Sequence, residues 1–286
     1  MINFSLFLNK THPKGIIQII HGMGEHTGRY KEFAHFFNRQ GYIVVGQDHP
    51  GHGEKAYNNG TLGNISGDFK DIVFRQISVT NWLIDTYPEI PIFIFGHSMG
   101  SFIAQEHMKR GQTHIRGYIL SGSSYKDSLW FFGQFLAYFF KGTEKTPLLH
   151  HLFFLKVNSK IPNPKTYYDW LSRDEKIIEN FQQDYLTKFY YTGNFYYNFL
   201  HFLNHLYSID SFHNVPRSLP IFIISGEEDP IGKYGKKVKE LKKFYEKLNF
   251  SDISFKLYPC ARHELHNELN RLEVFGDILQ WFNRNV

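Results

Sequence analysis

Six short apolar runs, each closed by a polar or glycine- and proline-bearing turn, constrain this chain more than any other feature. They occupy residues 16–20, 42–46, 92–95, 118–120, 221–224 and 253–258. Unbroken apolar strands of this length belong in a parallel sheet covered on both faces, since a half-exposed strand would alternate apolar and polar residues. The segments between them carry a helical period instead. Phe33, Phe36 and Phe37 form one stripe, Ile72, Ile77, Trp82 and Ile84 a second, and Tyr234, Val238, Leu241, Tyr245 and Leu248 a third. Strands alternating with helices predict a three-layer α/β fold with a mostly parallel sheet. The alternation of residues 2–8 predicts an additional antiparallel strand at the N-terminal end.

The alternation stops between residues 123 and 215. This third of the chain holds 25 of its 51 aromatic residues and shows no strand pattern that would extend the sheet. It divides the chain into core residues 1–122, a helical cap or lid over 123–215, and core residues 216–286. The stretch 129–140 is the greasiest, but Gly133 and Gln134 interrupt it, and it is too short to span a bilayer. With a net charge of +5 the chain is too weakly basic to predict nucleic-acid binding. Cys260 is the only cysteine, so an internal disulfide is excluded and a reducing compartment, the cytoplasm, is expected. The cysteine itself reads as a small packing residue. The first residues lack the basic start and long apolar core of a signal peptide. The lysine-rich segment 233–247 reads as a solvated helix face.

Behind the apolar run 92–95 stands Gly96-His97-Ser98-Met99-Gly100. A strand, a tight turn centred on serine and a helical segment together make the setting of a nucleophile elbow, in which backbone strain holds the hydroxyl out. A serine needs a base, and the base needs an orienting acid. Asp229, in the turn after the run 221–224, is the expected acid, ahead of Glu227 and Glu228. His263, after the last strand, is the expected base, ahead of His266. The backbone N–H groups of Met99 and Met23 are the expected oxyanion donors, because Gly22 and Gly24 free the loop around Met23. A zinc-protease helix would need histidine at 267, where Asn267 stands. His49 and His52 read as surface or loop residues, so neither a metal nor a cofactor is expected.

Together His21-Gly22-Met23-Gly24-Glu25-His26-Thr27-Gly28-Arg29-Tyr30, Asp48-His49-Pro50-Gly51-His52-Gly53, the serine elbow, Trp170-Leu171-Ser172-Arg173-Asp174, Gly226-Glu227-Glu228-Asp229-Pro230 and Arg262-His263-Glu264 resemble the monoacylglycerol lipase and lysophospholipase group of α/β-hydrolases, its bacterial-type members above all. The resemblance covers most of the chain in order. It implies Ser98, Asp229 and His263 as catalytic residues and Met23 and Met99 as the oxyanion hole. It also implies a lid over an acyl-binding tunnel and hydrolysis of a monoacyl lipid through an acyl-enzyme. The implied partners are a small lipid substrate and, peripherally, a membrane surface. A short-chain esterase, a thioesterase and an aminopeptidase are the alternatives on the same fold.

Overall fold

Isoleucine, valine and phenylalanine dominate the sheet because both of its faces are dry. In the computed structural model, which describes residues 4, 6–9, 11–65, 67–110 and 114–286, the chain runs β1 (Leu6–Leu8), β2 (Gly15–Ile20), α1 (Lys31–Arg39), β3 (Tyr42–Gly46), α2 (Gly53–Asn58), α3 (Phe69–Thr86), β4 (Ile92–His97), α4 (Met99–Met108) and β5 (Ile115–Ser121). Four helices follow: α5 (Ser128–Tyr138), α6 (Pro147–Phe153), α7 (Glu175–Gln183) and α8 (Gly193–Leu206). The chain then closes with β6 (Ile221–Gly226), α9 (Lys236–Lys247), β7 (Ile253–Tyr258) and α10 (Arg271–Asn285).

The seven strands form one sheet in the order β1-β3-β2-β4-β5-β6-β7, parallel except for β1, which pairs antiparallel with β3. The N-terminal strand of the sequence reading is thus present as Leu6–Leu8, while residues 2, 3 and 5 lie outside the described residues. Residues of β2 alternate between two cores. Ile16 and Ile20 pack with the helices α3, α4 and α9, whereas Ile17 and Ile19 pack with α1 and α10. Three strands run well beyond their apolar signal: β4 extends through Gly96 and His97, β6 through Ser225 and Gly226, and β5 begins at Ile115, where Arg116 is exposed. Strand pairing, not hydrophobicity, sets those ends.

The order of the sheet also places the site. The chain steps from β2 outward to β3, then back across β2 to β4, so it reverses direction between β2 and β4. Loops leaving the carboxyl ends of such neighbours open a crevice, the usual place for a ligand in an open α/β sheet. Ile20 is paired with Gly96, which brings the loop after β2 against the elbow after β4.

Between β5 and β6 the chain contributes no strand to the sheet; its only strand-like pairing there is the isolated bridge Lys145–Thr192. Helix α8 packs into the large core through Phe195, Phe199, Leu200 and Leu203. Helix α5 does the opposite: Ala137 is its only buried residue. Among the described residues, no helix is long and apolar enough to cross a membrane.

Candidate active site

Ser98 sits between β4 and α4 with φ 52° and ψ −122°, a conformation that a non-glycine residue adopts only under strain of about 1–3 kcal/mol. Its neighbours must be glycine for a steric reason. A Cβ on Gly100 would stand 1.9 Å from the Ile20 carbonyl oxygen, and one on Gly96 would stand 2.6 Å from that of Gly100. The turn is fastened by Ser98 N–H donating to Ser121 O at 2.9 Å and by Ser101 Oγ donating to Ser98 O at 2.6 Å. Ser98 is half-buried, and Met99 opens α4, so the Met99 N–H is among the donors a helix leaves unused at its first turn.

Asp229 is fully buried in the turn after β6. Its Oδ2 accepts from Ser225 Oγ at 3.0 Å, and its Oδ1 accepts from Ile231 N–H at 2.8 Å. The same Oδ1 lies 2.9 Å from His263 Nδ1. The two atoms are at ion-pair distance but off the line of a good hydrogen bond, and the buried Nε2 of His263 makes none. Catalytic hydrogen bonds often align only once substrate is bound. Glu227 and Glu228, the other acids of this turn, are exposed and half-buried respectively. His266 instead stacks on Tyr30, with ring centroids 4.3 Å apart.

Burial disfavours a charged His263, but the Asp229 carboxylate outweighs it, with Glu264 and Glu25 adding to the effect, and the imidazole is raised above its usual value. His97 and His266 beside it are driven the other way by burial, and next to His263 they stay neutral.

The loop of His263 is stitched to residues 169–174. His263 N–H donates to Trp170 O at 3.3 Å, Glu264 N–H to Leu171 O at 2.7 Å, and the Arg262 guanidinium to Asp169 O at 2.7 Å. Arg173 Nε in turn donates to Glu268 Oε2 at 2.9 Å. The Trp170 ring lies 4.9 Å from that of His263. Beneath this loop Arg29 grips Glu264 through two nitrogens at 2.5 and 2.7 Å and reaches Glu25 at 3.1 Å. Glu25 accepts from Gly22 N–H at 2.5 Å and from Tyr30 Oη at 2.7 Å. One guanidinium thus ties the loop carrying Met23 to the loop carrying His263. Arg29 and Tyr30 brace the Met23 loop through Glu25, a link that the sequence motif alone does not disclose.

His49 and His52 are loop residues, as expected, but they are not on the surface: they are buried, at 2% and 1% exposure. His21 Nδ1–H donates to Gly22 O at 2.8 Å, and its Nε2 accepts from His49 N–H at 3.0 Å. Burial pushes His52 down to about 4, so it is neutral, and its Nδ1 faces Pro50 O at 2.9 Å. Its Nε2 therefore accepts from Tyr191 Oη at 2.6 Å, while that hydroxyl accepts from Gly24 N–H at 2.6 Å. Gly22 and Gly24 are pinned on either side of Met23. Cys260, expected to pack inside, is exposed in the turn after β7.

Tyr191→Phe keeps the ring stacked on Phe195, whose centroid is 3.9 Å away, but strands Gly24 N–H and His52 Nε2. The expected result is a fall in kcat of about 10-fold with KM little changed, because the loosened loop carries Met23, the expected oxyanion donor. Steady-state kinetics beside a thermal melt checks this; a variant matching the wild type in kcat removes Tyr191 from the support of that loop.

Ser98, His263, Met23 and Met99 all line one cavity of about 1450 Å³, roofed by α5, α6 and the segments around α7 and α8. No group of three or more histidine, cysteine, aspartate or glutamate side chains among the described residues is placed to hold a metal ion.

The chain is similar over its whole length to a thermostable carboxyl esterase from Bacillus coagulans, with a TM-score of 0.88, 29% identity and coverage of 100% of this chain and 99% of that one. It is 23% identical over 280 residues to a monoacylglycerol lipase of Mycolicibacterium smegmatis, covering 98% of this chain and 92% of the relative. A rat monoglyceride lipase is 37% identical over 108 residues, a match that spans 38% of this chain and only 34% of the rat protein. The model of the serine aminopeptidase S33 family matches residues 11–270, and the chain belongs to that family.

Proposed function

We propose that the chain is a serine hydrolase that cleaves the carboxylic ester of a monoacyl lipid to a free fatty acid, with Ser98 as nucleophile, His263 as base and Asp229 as its orienting acid. The observation that carries this reading is the cavity: a long space lined by Phe102, Trp130, Leu136, Phe153, Leu200 and other apolar residues, ending on a strained serine beside a buried aspartate–histidine pair. Each methylene of an acyl chain buried there contributes about 0.8 kcal/mol, so apolar contact alone can select a long chain.

In this mechanism His263 Nε2 takes the proton of Ser98 as Oγ attacks the ester carbonyl. The oxyanion forms against Met23 and Met99 N–H. Collapse expels the alcohol, which receives the proton from His263. Water then repeats the sequence on the acyl-enzyme. The relatives named monoacylglycerol lipase support the substrate class. An aminopeptidase must hold a substrate ammonium, yet the carboxylates lining the cavity are already engaged: Glu25 and Glu264 by Arg29, Asp127 by Lys233.

Incubation of the pure protein with monoolein and with lysophosphatidylcholine is expected to release oleate or its equivalent from at least one. Rapid turnover of short esters with none from either lipid would refute the lipid assignment. Because His263 must be neutral to act as base, and its pKa is raised, kcat/KM is expected to rise with pH along a limb centred above 6.5. A limb centred below that value would contradict the pairing with Asp229.

We further infer that the cap's outer face rests on a membrane surface. Phe131, Phe132, Phe135 and Phe139 of α5 and its C-terminal cap are each at least 63% exposed, and Leu148, Leu152 and Leu155 stand exposed on and beside α6. An apolar face this large has no water-facing role. Phe131→Ser with Phe135→Ser is expected to lower binding to phosphatidylcholine vesicles about 10-fold in a flotation assay, while hydrolysis of a dispersed short ester continues.

A further inference from the structure

The mouth of the cavity is basic, and four of its five lysines are left without counter-charge. Lys156, Lys160, Lys188, Lys233 and Lys236 all line it. The three carboxylates there are spent, Glu25 and Glu264 on Arg29 and Asp127 on Lys233. Among the described residues, Lys156, Lys160, Lys188 and Lys236 form no ion pair. His150 and His151 share the lining, and burial holds His150 down at about 4, so that ring accepts or donates without charge.

Part of this rim is built, not merely scattered. Lys233, Tyr234 and Gly235 are three successive residues with φ of 48°, 56° and 79°, a strained run for its two non-glycine members. It is held by Tyr234 N–H donating to Asp229 O at 2.8 Å, so the run hangs directly from the acid of the catalytic pair. The ammonium of Lys160, arriving from the cap, lies 3.9 Å from the centre of the Tyr234 ring. The Tyr234 hydroxyl is enclosed and has no hydrogen-bond partner. A buried hydroxyl left unbonded costs free energy unless a ligand supplies the partner. Ammonium groups gathered around one cavity favour an anion over a neutral polyol.

We propose that this rim recognises the phosphate of the substrate's head group, so that the preferred substrate is an anionic lysophospholipid, one whose phosphate is not neutralised by a choline or ethanolamine, rather than an uncharged monoacylglycerol. Lys160 and Lys236 supply charge from the two sides, and Tyr234 supplies a hydroxyl donor between them. The proposal rests on the lipid-esterase reading and sharpens it to one head-group class.

The test compares lauroyl lysophosphatidate with monolaurin, both kept monomeric below their aggregation limits so that no bilayer is present. For the wild type, kcat/KM is expected to favour the phosphate substrate by at least about 10-fold at low salt, the preference shrinking toward unity at about 0.5 M salt. In Lys160→Ala/Lys236→Ala the preference is expected to fall close to unity, mainly through KM. Lys239→Ala/Lys243→Ala, which removes the same charge from positions on α9 outside the cavity lining, should keep it. Equal kcat/KM for the two substrates in the wild type overturns the proposal, as does a preference that survives the Lys160/Lys236 pair. A preference that appears only with anionic vesicles would assign the lysines to a bilayer surface and overturn it as well. If neither lipid is hydrolysed, the lipid-esterase reading fails first; calorimetry of lauroyl lysophosphatidate and of inorganic phosphate with Ser98→Ala then decides the rim separately. Tight binding of the lipid, lost in the Lys160/Lys236 background, upholds it. Binding of inorganic phosphate alone, or of neither, overturns it.

Discussion

Ser98→Ala is expected to lower kcat by about 10⁴- to 10⁶-fold, the loss that follows removal of a nucleophile whose partners act as a unit. No structural cost should accompany it. The hydroxyl makes none of the bonds that hold the elbow, which depend on Ser98 N–H to Ser121 O and on Ser101 Oγ to Ser98 O. The strained φ of 52° is no worse for alanine than for serine. The melting temperature is therefore expected to stay within about 2 °C, a difference below 1 kcal/mol for a domain of this size. A fluorophosphonate probe should label the wild type and not the variant. Labelling that persists would mean that another hydroxyl is the nucleophile, and an unchanged rate would remove Ser98 from the chemistry altogether. His263→Ala and Asp229→Asn should each approach the same floor, with the double variants falling little further.

Much of this arrangement is legible in the sequence because the physics that specifies it is local. A parallel strand covered on both faces is mostly apolar, so β2, β3, β4 and β6 announce themselves; β7, at the sheet edge, is only half-buried and alternates Ser254 and Lys256 with apolar residues. A strained serine turn needs glycine on both sides within five residues. Asp229 and His263 are readable because each follows a strand that can be counted. What escapes is what depends on distant partners. Nothing near His52 in sequence foretells Tyr191, which meets it from 139 positions away at the start of α8. A histidine in a glycine-rich loop looks like a surface residue until a later segment covers it. Glu264 likewise reads as an ordinary polar residue beside His263, and only the fold sets Arg29, 235 positions earlier, against it. Cys260 errs the other way: a small thiol is most often buried, but here it takes a positive φ in a turn. The charge of the cavity mouth was half visible, since Lys236 was counted among the lysines of a solvated helix face. That Lys160 of the insertion sits beside it could come only from coordinates.

Arg29→Met is expected to destabilise the protein by about 3–5 kcal/mol at neutral pH, the cost of leaving buried charge without its partner. Glu25 and Glu264 are each only 2% exposed, and among the described residues Arg29 is the one cation that contacts both. In the wild type, burial is the largest influence on either carboxyl. It raises Glu25 on balance, whereas Arg29 overcomes it at Glu264 and holds that group below its usual value. Without the guanidinium, burial prevails at both, and both folded-state pKa values rise above the unfolded value near 4.5. A carboxyl raised in this way binds its proton more tightly folded than unfolded, so its penalty is present above the folded pKa and fades as pH falls through it toward 4.5. The wild type runs the opposite way at Glu264, losing stability as pH falls. Urea denaturation at pH 7.5 and pH 5 therefore checks sign as well as size: the deficit of the variant should be largest at the higher pH and shrink at the lower. A deficit independent of pH would mean that lost packing of the Arg29 side chain against Phe181, 4.6 Å from its guanidinium, accounts for the effect. Activity should fall with stability held constant, because the same guanidinium fixes the loop of His263 against the loop of Met23. Kinetics at 15 °C, well below the variant's melting transition, would separate that loss from unfolding; a variant fully folded and fully active there would leave Arg29 a structural strut with no part in aligning the two loops.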